Sequence, residues 1–113
     1  MNRELLEEKV KKGEMRKQEV ACLQGGKGMC TIYTYIWPYS SRLEYGFICI
    51  EPYGSIGEHK HIKECEVWNV IQGIVEINER TYTDGTRTIC GIAQSHYCRN
   101  LTNSEVILEF VKL

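Results

Sequence analysis

The chain has 113 residues, a length that fits one compact domain and leaves little room for a second. Its 14 basic and 15 acidic residues give a formal net charge of −1, and no stretch gathers lysine and arginine with aromatic residues, so the sequence does not favour nucleic-acid binding. No apolar run approaches the length of a membrane span, and the charged first dozen residues do not resemble a secretory signal. We therefore expect a cytoplasmic protein that binds neither nucleic acid nor a membrane.

The first predicted element is a short helix from Arg3 to Lys12, within a segment comprising residues 1–14. Asn2 is a suitable N-cap, and acidic residues near the start with lysines at the end match the helix dipole. Gly13 then provides a C-terminal stop. A narrow apolar stripe predicts that this helix packs on the outside of a larger unit, through Leu5, Leu6 and Val10.

The densest basic stretch of the chain overlaps this helix and runs beyond it. Glutamates are mixed in and around the basic residues, so we interpret the stretch as a solvated helix face rather than a site for an anionic partner. The basic residues concerned are Lys9, Lys11, Lys12, Arg16 and Lys17.

After Gly13 the chain consists of short apolar runs, rich in Ile, Val, Tyr and Thr, separated by Gly, Pro, Asn and Asp. Such runs predict strands, and many short strands with almost no helix between them predict an all-β antiparallel sandwich or barrel. The glycine cluster at residues 25–28 is predicted to be a turn, because a phosphate-binding loop would continue with Ser or Thr and a helix. The predicted strands are Cys30 to Trp37, followed by a break at Pro38, then Tyr45 to Glu51, Glu58 to His61, Cys65 to Ile71, Ile74 to Asn78, Thr86 to Cys90, Ser95 to Asn100 and Glu105 to Lys112.

Six cysteines raise the question of a disulfide framework. The chain shows no signal peptide and no Cys-x-x-Cys pair, and most of the cysteines lie inside apolar strand patterns, where cysteine acts as a small buried hydrophobe. We therefore predict reduced thiols, which is typical of a cytoplasmic protein. The cysteines are Cys22, Cys30, Cys49, Cys65, Cys90 and Cys98.

The three histidines form the most informative pattern in the sequence. His59 and His61 lie two residues apart in a predicted strand, so their side chains should project to the same face. Glu66 follows at the head of another apolar run, and His96 lies in a later predicted strand. A single strand histidine is usually structural, but three histidines and one glutamate in this arrangement indicate a site for a divalent metal ion.

The segment Gly54–Gly73 resembles the first sequence motif of the cupins. It contains the His-x-His pair at His59 and His61, and Glu66 at the expected spacing. It departs from the motif in one respect, because four residues rather than the usual five separate the first glycine from His59.

The segment Gly85–Asn100 resembles the second cupin motif, with its first glycine, His96 and its final asparagine in register. Gly91 stands where proline is usual, and Ala93 stands where glycine is usual. These two departures concern the shape of the turn that precedes His96.

The resemblance implies a cupin-type double-stranded β-helix, also called a jelly-roll barrel, over residues 15–113, with the first helix outside it. It also implies one divalent ion held by His59, His61, Glu66 and His96. Three imidazoles and one carboxylate suit Mn, Fe, Ni, Co, Cu or Zn, and an octahedral ion would keep two positions open for water, dioxygen or a small ligand.

Pocket residues are predicted from the alternation of side chains along strands. Trp68 and Val70 share a face with Glu66, and Cys98 shares a face with His96, so these three either line the cavity or simply pack in the barrel. The faces of two earlier strands stay open between inward and outward, which concerns Tyr33, Tyr35, Phe47 and Cys49.

Two classes of function agree with these features, and no residue stands out as a general base. In the first, the protein is a metalloenzyme that acts on a small oxygen-rich molecule by oxygenation, decarboxylation or isomerisation, all of which occur among cupins. In the second, it is a non-catalytic module that binds or senses a small molecule.

Small cupins commonly pair, so we also predict a homodimer. In the last predicted strand Leu108 and Phe110 share one face, and Ile107 and Val111 share the other. Whichever face points outward needs cover from a partner or from the N-terminal helix.

Overall fold

The computed structural model of the chain describes residues 1–36 and 43–112. The helix α1 spans Arg3–Lys11, one residue shorter than predicted. Its N-cap prediction is confirmed, because the backbone N–H of Leu5 donates to the Asn2 side-chain oxygen at 2.9 Å. Gly13 follows with φ +77°, a conformation that favours glycine and ends the helix. None of the helices in the described ranges is long and apolar enough to cross a membrane.

The rest of the described chain forms two antiparallel sheets, so the predicted all-β jelly roll with one N-terminal helix is confirmed. The larger sheet has the strand order β1-β2-β3-β10-β5-β8, and the smaller one has the order β4-β9-β6-β7. A short 3-10 helix, Leu23–Gly25, separates the first two strands. The strands are β1 Met15–Ala21, β2 Met29–Tyr35, β3 Glu44–Ile50, β4 Ser55–His59, β5 Glu66–Gln72, β6 Val75–Ile77, β7 Arg80–Tyr82, β8 Arg87–Cys90, β9 His96–Arg99 and β10 Val106–Lys112.

Two strands of the structure, β1 and β7, were not predicted from the sequence. Their sequences are mostly polar and lack an alternating apolar face. The predicted end of the strand at Trp37 and the break at Pro38 lie outside the described residues.

The main core lies between the two sheets and contains side chains from both. Leu108 and Phe110 of β10 belong to it and are almost completely buried. Their strand therefore turns its other face, with Ile107, to the outside of the larger sheet.

A second core cluster lies between the outer face of the larger sheet and α1. Leu6 is fully buried there against Tyr33, Phe47 and Ile107. The Tyr33 hydroxyl donates to the carboxylate of Glu7 at 2.7 Å, which ties the helix to β2. The helix therefore covers an apolar outer face, and Tyr33, Tyr35, Phe47 and Cys49 point towards it and not into the barrel.

All six cysteines are free, in agreement with the prediction of reduced thiols. Four of them, Cys30, Cys49, Cys90 and Cys98, are buried, and burial raises the pKa of the Cys30 thiol to about 11. These thiols are packed as small apolar groups.

Candidate metal centre

The structure places His59 at the end of β4 and His61 two residues beyond it. The predicted strand Glu58–His61 is therefore wrong in its bounds. The reason is the pairing of β4 with β9, which starts at His96 directly opposite His59, so that no residue of β9 pairs with residues 60 and 61. His61 is held instead by its carbonyl oxygen, which accepts a hydrogen bond from the backbone N–H of Ala93 at 2.7 Å.

The turn before His96 contains both unusual residues, Gly91 and Ala93. Ala93 has φ +61°, a conformation that glycine adopts freely and that costs an alanine about 1 kcal/mol. The turn is closed on both sides, because Gln94 N–H donates to the Gly91 carbonyl at 3.1 Å and Gly91 N–H donates to the Gln94 side-chain oxygen at 2.8 Å. The chain thus reaches His96 through a strained but well hydrogen-bonded turn.

Four potential ligand atoms come together between the sheets, one each from His59, His61, Glu66 and His96. These atoms all lie within 4.8 Å of one another. One carboxylate oxygen of Glu66 lies 3.2 Å from Nε2 of His61 and 3.2 Å from Nε2 of His96. Glu66 and His96 are almost completely buried, and the other two histidines are partly buried. This is a set of donors able to hold a metal ion.

Backbone carbonyls orient two of the imidazole rings. Nδ1 of His59 donates to the Gly57 carbonyl at 2.8 Å, and Nδ1 of His96 donates to the Gln94 carbonyl at 3.1 Å. Each of these bonds keeps the proton on Nδ1, so the lone pair of Nε2 remains for the centre of the cluster.

The electrostatics of the cluster favour ionised Glu66. Burial raises the pKa of this carboxyl group, but the hydrogen bond from His96 and the charge of Lys112 outweigh it and leave the pKa below its usual range. Burial lowers the pKa of His59, which keeps that imidazole neutral. Burial also opposes the charge on His96, but the Cys90 thiol and Glu66 beside it outweigh burial and raise the pKa of His96 to about 10.

Three residues of the cluster, His59, His61 and Glu66, line a cavity of about 510 Å³, a size common for small-molecule sites. Trp68 lines this cavity, which was one of the two positions that the sequence allowed for it. Val70 and Cys98 are instead fully buried in the core between the sheets. The indole ring of Trp68 packs edge-on against His96, with 5.0 Å between ring centroids.

Several solved structures are similar to this one over most of the chain. A predicted oxalate decarboxylase from Thermotoga maritima is similar with a TM-score of 0.73 and 19% identity, over 89% of this chain and 94% of that one. A Cupin 2 conserved barrel domain protein from Salinispora arenicola is similar with a TM-score of 0.59 and 20% identity, over 87% of this chain and 74% of that one. The chain has the cupin fold.

Other comparisons support the same fold without adding a family. KdgF from Halomonas sp. is similar with a TM-score of 0.67 and 14% identity, over 88% of this chain and 87% of that one. No protein-family model and no curated protein sequence matches the chain.

One wall of the cavity is built by backbone packed on backbone. The loop around the 3-10 helix lies against β4 so closely that a Cβ on Gly57 would be 2.1 Å from the Gln24 carbonyl oxygen. A Cβ on Gly26 would likewise be 2.2 Å from the Ser55 carbonyl oxygen. Only glycine permits these contacts, and they hold the segment whose Gly57 carbonyl orients His59.

Asn100, the last residue of the segment that resembles the second cupin motif, is buried and has a structural role. Its side-chain N–H groups donate to the carbonyls of Glu51 at 3.1 Å and Ser104 at 2.7 Å. Its side-chain oxygen accepts from the backbone N–H of Thr102 at 3.1 Å. Asn100 thereby fastens the loop before β10 to the end of β3.

The sequence did not indicate the cationic residues of the cavity, which are Arg16, Lys17 and Lys112. Arg16 was assigned to a solvated helix face, but it lies in β1, where it faces the cavity opposite Thr34. Lys112 could have been found from alternation, since it lies two residues after the inward-facing Phe110.

Proposed function

We propose that this cupin binds one divalent metal ion through His59, His61, Glu66 and His96, and that it acts on a small oxygen-rich molecule by metal-assisted oxygenation, decarboxylation or isomerisation. The observation that carries the proposal is the convergence of four donors, all within 4.8 Å of one another, in a cavity of about 510 Å³.

The donor set fits such an ion. Metal–nitrogen bonds of about 2.0–2.1 Å place opposite ligand atoms about 4 Å apart, so a largest separation of 4.8 Å needs only a small side-chain adjustment. Three neutral imidazoles and one carboxylate suit Mn, Fe, Ni, Co, Cu or Zn and would leave the centre with a charge of about +1. A bound ion with open positions would polarise and orient a substrate oxygen.

The protein's own contribution is to hold the donors and to enclose the substrate. The carbonyls of Gly57 and Gln94 fix two of the rings, and Lys112 favours the ionised form of Glu66. Among the described residues that line the cavity, the carboxylates are Glu44 and Glu66. Glu66 belongs to the ligand set and Glu44 lies beside Lys112, so the described residues offer no unpaired carboxylate in the cavity as a separate general base.

This lack of a separate base is the observation that favours the second candidate, a non-catalytic cupin that binds or senses a small molecule. Oxygen uptake and product formation by the iron-loaded protein with candidate substrates would support the enzyme. Tight binding of the same compounds without turnover, by the protein loaded with each of the six metals, would support the binding module.

Elemental analysis tests the metal site itself. Protein purified without a metal-binding tag should contain close to one equivalent of a single transition metal, and this metal should be lost in His96→Ala and Glu66→Gln. The matched control is Glu58→Gln, because Glu58 is an exposed carboxylate next to His59 and should not affect metal content. A parent protein that takes up none of the six metals, even when each is added back, would rule out the site.

We also propose that the chain forms a homodimer through the outer face of the larger sheet. The helix α1 covers the Ile107 part of that face, but Ile89 on the edge strand β8 is 65% exposed, next to the partly exposed Val67. Light scattering after size exclusion should give the dimer mass for the parent and the monomer mass for Ile89→Lys. A monomeric parent at micromolar concentration would contradict the proposal.

A further inference from the structure

Three cationic residues that the metal cluster does not use line the cavity, and two of them, Lys112 and Arg16, are not held by a close ion pair as Lys17 is. Lys112 lies on the inner face of β10, in register with Glu66 on one side and with Glu44 on the other. Residues paired directly across antiparallel strands have Cα atoms about 5 Å apart. The ammonium group of Lys112 is therefore on the strand next to a proposed metal ligand.

Neither cation is committed to a strong partner within the protein. The Lys112 ammonium is 3.9 Å from the Glu44 carboxylate, and that carboxylate is 44% exposed, so the pair contributes little. Among the described residues, Arg16 makes no ion pair and no side-chain hydrogen bond. Both cations are thus free to bind a ligand in the cavity.

One buried hydrogen-bond donor in the wall of the cavity also lacks a partner. The indole N–H of Trp68 is buried and has no hydrogen-bond partner of normal geometry among the described residues, although it lies near enough to Glu66 to help lower the pKa of that carboxyl. An orphaned buried donor in a cavity indicates an acceptor that comes from a ligand or from water.

The charges of the cavity lead to the same conclusion. Lys112 and Arg16 are balanced by Glu44 and Glu66, and Lys17 is neutralised by its ion pair with Glu7 at 2.5 Å. A dipositive ion in the cluster would therefore leave the cavity with a net charge of about +2. A cavity with this positive charge favours an anionic ligand.

We propose that the ligand of this cavity is a small organic acid with a carboxylate bound by Lys112 and supported by Arg16, and with a second oxygen-bearing end directed at the metal cluster. The inference deepens the proposed function and rests on it for the metal end. The short separation of Lys112 from Glu66 limits the spacer between the two ends to a few carbon atoms.

Three compounds of equal length separate this proposal from simple filling of the cavity. Succinate has two carboxylates, succinamate has one and succinamide has none. We expect calorimetric titration of the metal-loaded protein to give affinities in that order, and the affinity for succinate should fall as ionic strength rises.

Substitutions of the two charged neighbours should have opposite effects. Lys112→Gln should weaken succinate binding about tenfold, as expected for the loss of a partly buried charge pair, and Lys112→Arg should restore most of it. Glu44→Gln should tighten binding, because it removes the competing carboxylate. The control Lys11→Gln removes a lysine of α1 that is exposed and outside the cavity, and should leave binding unchanged.

Metal content measured in the same samples distinguishes failure of this inference from failure of the metal site. If Lys112→Gln retains the metal and binds succinate as the parent does, the inference is overturned and the metal site stands. If the parent holds no metal, the cations alone should still give a weak preference for succinate over succinamide that Lys112→Gln abolishes. Equal binding of the two compounds by the metal-free parent would then overturn the inference as well.

Discussion

Replacing Gly57 by alanine should destabilise the protein and weaken its metal site together. The new methyl group would lie 2.1 Å from the Gln24 carbonyl oxygen and 2.7 Å from the Gly26 nitrogen, both backbone atoms. An ordinary contact needs about 3.4 Å or more, so the loop around the 3-10 helix must move away from β4 by about 1 Å. That movement strains the hydrogen bonds between Ser55 and Lys27, which join the loop to the strand at 2.7 and 3.2 Å.

The size of the effect follows from these contacts. Overpacking of this kind costs about 1–3 kcal/mol, and each weakened hydrogen bond adds about 1 kcal/mol. Alanine recovers up to about 1 kcal/mol by restricting the unfolded chain. The net loss for Gly57→Ala should therefore be about 2 kcal/mol, which corresponds to a decrease in Tm of about 8 °C for a domain of this size. Metal affinity should fall about tenfold, since the Gly57 carbonyl orients His59.

Denaturant unfolding of the metal-free protein and metal titration of the folded protein measure the two effects separately. Gly91→Ala is the matched control in the other loop beside the site. Its new methyl group would meet only the Gln94 side-chain oxygen at 3.3 Å, and a shift of a few tenths of an ångström relieves this contact while keeping the hydrogen bond from Gly91 N–H, so the loss should stay within about 0.5 kcal/mol. Equal unfolding midpoints for Gly57→Ala and the parent would refute the packing argument, and so would an equal loss in the two variants.

Three further predictions concern the turn, the helix and pH. Ala93→Gly should stabilise the protein by about 1 kcal/mol in thermal unfolding, because φ is +61° at this position. The control Ala21→Gly, in β1, should destabilise the protein. A lower free energy of unfolding in both variants would contradict the strain at Ala93. Leu6→Ala should cost about 3 kcal/mol in denaturant unfolding, because Leu6 is fully buried, and Leu5→Ala, at 46% exposure, should cost little; similar losses would show that α1 does not cover the sheet as described. Metal affinity should rise up to about tenfold per pH unit between about pH 6 and 8, because the raised pKa of His96 makes a proton compete with the ion. Competition with a chelator of known affinity measures this dependence. A metal affinity independent of pH would contradict the raised pKa of His96.

The jelly roll and the convergence of the four donors were predictable from short-range patterns. Alternation along strands and the spacing of the two motifs indicated where His59, Glu66 and His96 would meet. His61 shows the limit of such reasoning, because it lies beyond β4 and is positioned by a hydrogen bond from Ala93, a residue thirty-two positions later in the sequence. Alternation alone does not predict such a contact.

The parts that sequence reasoning missed have a common physical cause. β1 is an edge strand with exposed charged side chains, so it shows no apolar face and was read as polar sequence, which hid Arg16. In β2 and β3 both faces are apolar, because α1 covers the outer one. The alternation of side chains along a strand then does not show which way Tyr33 and Phe47 point. In each case the strand or the direction of its side chains depends on a neighbouring element that is distant in the sequence.

The position of β10 has a consequence for how the protein acquires its structure. This strand lies in the middle of the larger sheet, between β3 and β5, although all the other strands precede it in the sequence. Pairing Val106 with Ile50 and Phe110 with Trp68 closes loops of about forty to fifty-five residues, which is slow compared with forming a hairpin. On a ribosome, therefore, β3 and β5 each wait with one unpaired edge until β10 emerges, and that interval is when the chain is most exposed to aggregation or to capture by a chaperone.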